Sequence, residues 1–411
     1  MKRILMVLFL IGLFCLLSVS CGRRENPVRP SYPAREVWQV GRNFTSLQGN
    51  AMQDPSPRTV YVYIPPMYDP IKQQPMLNRQ GYSVLYLLHD FGGDNTTFTG
   101  VYKVAQIADQ LIAEGQIQPM IIIMPDASSL HLGGSFYTNS SLMGNYEDYM
   151  VKEIMGLVDS SVHTYGDLVE GKFIPDKRYR AISGLGMGGY GALKIAMDYD
   201  TLFTSVSVMN PFTSFESFLS QETIEKVFEE NGISASDFSY SSYRKLNPWS
   251  DSAHPDKTYS QIIFAMAAAF SPNVHNLSDP DTTSFFTLTP VLLGKKNGAD
   301  LPFDSSRTII PGSPIWNKWL LNDLKNKLNN DHTAFGDQNI YMDCGDQNGF
   351  KLFEESQIFD QLLSLYGKNH TYIEYSGYPG LPANQDGFIY DRLVEILKFH
   401  SQHFPPPAYR Q

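Results

Sequence analysis

Between residues 82 and 211, short and almost wholly apolar runs alternate with stretches whose apolar residues recur at helical spacing, and no other feature constrains the fold as strongly. YSVLYLLHDFGGD (Tyr82 to Asp94), PMIIIMPD (Pro119 to Asp126), RYRAIS (through Ser183) and TSVSVMNP (Thr204 to Pro211) each read as a strand buried on both faces. Between them, Val104, Ile107, Ala108, Leu111 and Ile112 form one helical stripe, stopped by Gly115. Tyr149, Met150, Ile154, Leu157 and Val158 form a second, and a third helix is expected from about Met187 to Met197. Strands separated by helices predict an α/β fold with a mostly parallel central sheet flanked by helices.

The pattern extends on both sides. RTVYVYIPP (Arg58 to Pro66) is dense in β-branched and aromatic residues and stops at two prolines, as a strand would. Far downstream, NIYMDCGD and HTYIEYS supply two more strands, with helices from Phe353 to Tyr366 and from Ile389 to Phe399. From 212 to 339 the alternation lapses into helical candidates (Thr223 to Glu230, Gln261 to Phe270, Ile315 to Leu328) among polar loops, which predicts a lid or cap insertion over one end of the sheet. With 42% hydrophobic residues in 411, the chain can bury one large core. The expected domain therefore spans 56–405, preceded by a tether and N-terminal arm over 21–55.

MKRILMVLFLIGLFCLLSVSCG opens the chain: two cations, an apolar stretch from Ile4 to Leu17, then small residues before Cys21. A spanning helix needs about 20 apolar residues, so residues 1–20 read as a signal peptide of the bacterial lipoprotein type, with Cys21 the lipidated first residue of an exported, envelope-anchored protein. Of three cysteines, Cys15 lies in that signal, and only Cys344 remains for the fold. Neither cysteine pairs nor histidine spacing suggest a metal site, and no cofactor is expected. The net charge of -10 and the absence of basic runs beyond the leader exclude a nucleic-acid partner.

The densest signal is Ser183-Gly184-Leu185-Gly186-Met187-Gly188-Gly189-Tyr190-Gly191, a sharp bend from strand to helix. A dinucleotide turn would follow the first strand of its unit and be answered by an acid closing the next, which this stretch does not satisfy. The spacing instead matches a nucleophile elbow, G-x-S-x-G, in which Gly186 replaces the serine and no side-chain oxygen is available to attack a carbonyl.

PRTVYVYIPPMYDP, YSVLYLLHDFGGD, IIIMPDAS, GGSFYTNSSLMGNYEDYMVKEI, YRAISGLGMGGYGALKIAM and YMDCGD stand in one order over about residues 40 to 400. That ordered set resembles the exported esterases of the α/β-hydrolase superfamily, the group containing esterase D, feruloyl and acetyl-xylan esterases and mycolyltransferases. The resemblance implies a serine at 186, an acid three residues past the DCG turn and a histidine before the last helix. The chain carries Gly186, Asn348, and Asn384 or Gln385 there. Glycine forms no acyl-enzyme, and a carboxamide accepts no proton at neutral pH. The resemblance also implies oxyanion donors at the backbone of Met187 and of the turn containing Asp90 and Phe91. Asp90 stands where the family generally has glycine; its carboxylate either opposes the developing charge, or it points to solvent or caps the following helix.

The expectation is a pseudo-esterase kept for extracytoplasmic binding or structure, with a cell-envelope glycan, acyl ester or protein as ligand. The alternative is an active carboxylic-ester hydrolase or acyltransferase with a relocated nucleophile, Ser183 or Cys344, served by Asp346 and His370.

Overall fold

Successive side chains of a strand point to opposite faces of its sheet, so a strand covered on both sides must be apolar throughout. The computed structural model describes residues 36–66, 68–69, 74–75, 81–161, 164, 166–169, 172–239, 246, 258–274, 297–346, 350–376 and 386–407. Eight strands build its main sheet: β1 (Glu36–Asn43), β2 (Pro57–Ile64), β3 (Ser83–Leu88), β4 (Met120–Met124), β5 (Arg180–Leu185), β6 (Ser205–Met209), β7 (Asn339–Gly345) and β8 (His370–Tyr375). They lie in the order β1-β2-β4-β3-β5-β6-β7-β8. The ladders joining β1 to β2 and β2 to β4 are antiparallel, and all the others are parallel. The mostly parallel sheet expected from the sequence is therefore present, its direction reversed only at one edge.

Alternation splits the interior in two. Val84, Tyr86 and Leu88 of β3, Ile182 of β5 and Val206 and Val208 of β6 enter one core, shared with helices α2 (Met155–Ser161) and α3 (Met187–Asp198). Leu85, Leu87, Ala181, Leu185 and Met209 enter the other, covered by α1 (Val104–Ala113) and by Ile389, Leu393, Ile396 and Leu397 of the closing helix, Asp386–His403.

The sheet begins earlier than the sequence suggested. β1 lies inside the segment 21–55 expected to be a tether and arm, so the α/β unit starts at Glu36 rather than at 56. Its half-buried Val37, Trp38 and Val40 are diluted by Gln39, Gly41 and Arg42, and pairing with β2 supplies the order that composition alone did not. The leader and Cys21 lie outside the described residues.

Within 212–339 the described helices are Phe215–Phe218, α4 (Gln221–Glu230), α5 (Thr258–Phe270), α6 (Pro314–Leu320) and α7 (Leu324–Asn330). One continuous helix was expected from Ile315 to Leu328, but Asp323 breaks it by capping Asn326 N–H at 2.7 Å. Phe270 of α5 packs its ring against Phe136, Phe215, Trp319 and Tyr190, with centroids 4.9–5.7 Å apart. Tyr190 belongs to α3, so the insertion is anchored on the helix that leaves the glycine turn. Its hydroxyl donates to Asn322 O at 2.8 Å.

Candidate functional site

The glycine turn joins β5 to α3 with almost no loop. Gly186 has φ +53° and ψ −111°, a conformation that costs a residue with a Cβ roughly 1–3 kcal/mol. Its N–H donates to Met209 O at 2.8 Å and its carbonyl accepts from Tyr190 N–H at 3.0 Å, so the bend is fixed at both ends. Close packing requires glycine at 188 as well: a Cβ there would lie 2.6 Å from His89 O and nearer still to Leu88 O. The first turn of α3 thus rests directly on the end of β3, which brings the Asp90 turn against the elbow.

At that junction the side chain of Asp90 turns inward. Its Oδ1 accepts from Phe91 N–H at 2.6 Å and from Met187 N–H at 2.8 Å. Met187 N–H is one of the expected oxyanion donors and the turn containing Asp90 and Phe91 was to supply the other; the structure brings Met187 N–H and Phe91 N–H together on one carboxylate oxygen. A Cβ built on Gly186 would lie 2.6 Å from Asp90 Oδ2 and closer still to Oδ1. The carboxylate therefore occupies the volume in which a side chain at 186 would begin. Of the two orientations left open by the sequence, the solvent-facing one is not adopted.

Asp90 is half-buried as a residue, but its carboxylate is enclosed. Desolvation pushes its pKa from 3.8 to about 6, against the pull of the Met187 and Phe91 N–H bonds and of the Arg392 charge. His89 holds the turn from behind. Its Nε2 accepts from Ala127 N–H at 2.9 Å, which leaves Nδ1–H to donate to Asp90 O at 2.8 Å. Both ring nitrogens are thereby engaged, and burial lowers the pKa, keeping the ring neutral. Tyr137 hydroxyl adds a bond to His89 O at 3.1 Å.

Within β7, Asp343 is fully buried and pairs with Arg392 of the closing helix. Asn210 Oδ1 accepts from Arg392 and from Gly345 N–H, both at 3.2 Å, tying β6, β7 and that helix together. Neither Asp343 nor Arg392 was singled out from the sequence. An arginine stem in a helical pattern gives no sign of burial, whereas Asp343 inside the apolar NIYMDCGD run was the available signal.

The residues offered as relocated nucleophiles do not form a site. Ser183 is fully buried and accepts from Ser207 hydroxyl at 2.8 Å. Ser207 in turn meets His400 Nε2 at 2.7 Å, and Ser205 meets His400 Nδ1 at 2.8 Å. This sealed network pins the closing helix to β5 and β6, and burial lowers the His400 pKa to about 3. Cys344 is also fully buried, and desolvation raises its thiol to about 12, far from thiolate chemistry at neutral pH. His370 opens β8 opposite Ile340, at the end of the sheet remote from the elbow, and contacts Asp360 at 3.0 Å. Asp346 follows β7 and donates its backbone N–H to Tyr375 O. Ser183, Cys344, Asp346 and His370 are thus distributed rather than convergent. Asn348, Asn384 and Gln385 lie outside the described residues.

The rim motifs serve the scaffold. Tyr146 hydroxyl accepts from buried Arg58 at 2.7 Å, and Glu147 pairs with Lys194 of α3. Among the described residues no group of three His, Cys, Asp or Glu could hold a metal ion.

Comparison with known proteins agrees with this architecture. The model of a family described as "Putative esterase" matches residues 50–378. Esterase Rv1288 of Mycobacterium tuberculosis is 35% identical over 130 residues, 31% of this chain and 24% of that protein. Endo-1,4-beta-xylanase Y of Acetivibrio thermocellus is 27% identical over 173 residues, 41% of this chain and 14% of that protein. The chain thus matches less than a quarter of the length of these relatives. Among solved structures, a ferulic acid esterase superposes with TM-score 0.52 at 18% identity, covering 90% of this chain and 99% of the other. An S-formylglutathione hydrolase from Agrobacterium tumefaciens superposes with TM-score 0.51 at 14% identity, covering 90% and 95%. At those identities the superpositions establish the α/β-hydrolase fold alone, whereas the family model covers most of the chain: this protein is a member of that esterase family.

Proposed function

We propose that this protein is an esterase-family scaffold that does not hydrolyse carboxylic esters and serves a binding or structural role outside the cytoplasm. The observation that carries the reading is Asp90 Oδ1 accepting both Phe91 N–H and Met187 N–H. Acyl transfer needs those donors empty, because they stabilise the oxyanion as it forms. Loss of even one such donor costs about 10² to 10³ in turnover. Here a carboxylate takes both, and above its pKa of about 6 it opposes any negative charge brought beside it. Gly186 supplies no attacking oxygen.

Export rests on the leader and Cys21, which would tether the mature chain to the envelope membrane. An envelope glycan, an acyl ester bound without turnover, or a protein would be its ligand. The test is a serine-reactive fluorophosphonate probe together with an activated short-chain ester, applied to the unaltered mature protein. The reading requires no stoichiometric label and no saturable turnover; either one overturns it.

A further inference from the structure

We propose that β8 is a docking edge for a second copy of this chain, the two strands pairing antiparallel about a two-fold axis at Tyr372 so that both sheets run on as one. β8 closes the sheet, and among the described residues no strand pairs with its outer side. Its ladder to β7 runs residue for residue from Ile340 opposite His370 to Gly345 opposite Tyr375. Asn369 O accepts from Ile340 N–H at 3.0 Å and Tyr375 O from Asp346 N–H at 2.9 Å, so the odd-numbered residues turn their main chain to β7. The N–H and C=O groups of His370, Tyr372 and Glu374 therefore face outward.

A bare edge of this kind is usually blunted by proline, lysine, a bulge or a covering segment. The run HTYIEY holds no proline or lysine, its register is unbroken, and Thr371, Ile373 and Glu374 are exposed. It is also rich in β-branched and aromatic residues, which suit a paired strand.

The outward groups fix the register. An even-numbered residue can exchange hydrogen bonds only with an even-numbered residue of the second copy. Centring the axis on Tyr372 sets His370 opposite Glu374, Tyr372 opposite its own equivalent and Glu374 opposite His370, and each of these three pairs exchanges two main-chain bonds. An axis at Thr371 or Ile373 would keep only two such pairs within β8.

The side chains agree with the same register. On one face, the helix Leu352–Leu365 donates from Gln357 to Glu374 at 2.8 Å and sets Asp360 3.0 Å from His370 Nε2. The two-fold lays the His370 end of each copy beside the Glu374 end of the other, imidazole against carboxylate and Asp360 against the Gln357 amide. On the opposite face Thr371 meets Ile373, a β-branched pair that takes Ile373 out of water. The helix rests on both β7 and β8, so its equivalent comes to roughly 10 Å, the packing distance of helices, and extends the contact beyond the strands. Any extended peptide could take the main-chain bonds, but a second copy supplies both reciprocal ends.

The experiment measures the mass of the intact mature protein in solution by sedimentation equilibrium, with a reversible dimer as the expected result. Glu374→Lys opposes two basic residues at each end and should weaken association roughly 10-fold or more while the circular dichroism spectrum is unchanged. Thr371→Cys combined with Ile373→Cys reads the register: opposed Cα atoms lie about 4.5 Å apart, within disulfide reach, so mild oxidation should join position 371 of one copy to 373 of the other. Thr371→Cys alone should not cross-link. Neither readout involves ester turnover, so this inference stands or falls apart from the reading of the elbow. A monomer at about 100 μM overturns it, whether the edge is left bare or is taken by a different protein. So does a dimer that Glu374→Lys leaves intact, or one that forms no cross-link between positions 371 and 373.

Discussion

Asp90 at the elbow and Asp323 at the root of the insertion are two aspartates with the same surroundings and opposite consequences. Each carboxylate is enclosed, each accepts two backbone N–H groups, and in each desolvation raises the pKa to about 6. Asp323 uses both oxygens, Oδ1 for Asn326 N–H and Oδ2 for Phe215 N–H. It is a completed cap that ties α7 to the start of the insertion. Asp90 places both donors on Oδ1 and leaves Oδ2 without a hydrogen bond. The lesson is that a pair of backbone donors attracts any carboxylate. The second oxygen distinguishes a cap completed on both oxygens from one anchored through a single oxygen.

The largest expected effect comes from restoring a serine at the elbow. Gly186→Ser introduces a Cβ into the Asp90 carboxylate at a positive φ, and should cost roughly 3 kcal/mol or more by chemical denaturation. Asp90→Gly added to it should recover part of that loss, with a coupling of about 1–3 kcal/mol in the double-mutant cycle. Strictly additive single changes would mean that Asp90 does not occupy this volume.

Asn substitution separates the two aspartates next. At Asp323 it turns one acceptor into a donor facing a backbone N–H, a loss of about 2 kcal/mol. At Asp90 the amide oxygen can replace Oδ1 and the amide nitrogen face the unpartnered side, so no loss is expected. Equal destabilisation by both changes would break the comparison.

The pH dependence follows in size. For both aspartates the folded pKa lies above the unfolded value, so the native state binds more protons between about pH 4 and 6, and stability falls as pH rises through that window. The full shift from 3.8 to about 6 corresponds to at most ~3 kcal/mol, and relaxation of the surroundings about the ionised group brings the share of Asp90 to roughly 1 kcal/mol. Asp90→Asn should therefore be the more stable protein above pH 6, and the advantage should vanish near pH 4, as read from urea midpoints. Smallest of all, Ser183→Ala should cost about 1 kcal/mol from the buried serine network and change no activity.

The sequence made the scaffold legible because both periodicities are strong there. The apolar runs at 82–88, 120–124 and 180–185 could only be covered strands, and the glycines from 184 to 189 required a tight crossing. β1 was hidden because an edge strand needs only modest apolar content, and the break at Asp323 because a capping side chain competes locally with an otherwise helical stripe. Nothing in the sequence around His400 signals burial, yet it is held between serines nearly 200 residues away. The orientation of Asp90 was undecidable for the same reason, since its partner Met187 lies 97 positions along the chain. Residue types announced the glycine at the elbow. Only long-range packing could reveal what fills its place.

The most direct test of that filled hole is an amide titration on protein labelled with ¹⁵N-methionine. If Asp90 Oδ1 accepts Met187 N–H, one methionine amide should shift with a midpoint near pH 6 and lose that transition in Asp90→Asn. No methionine amide moving between pH 5 and 7, or one that moves identically in Asp90→Asn, would show that the carboxylate does not occupy the donors and would contradict the account.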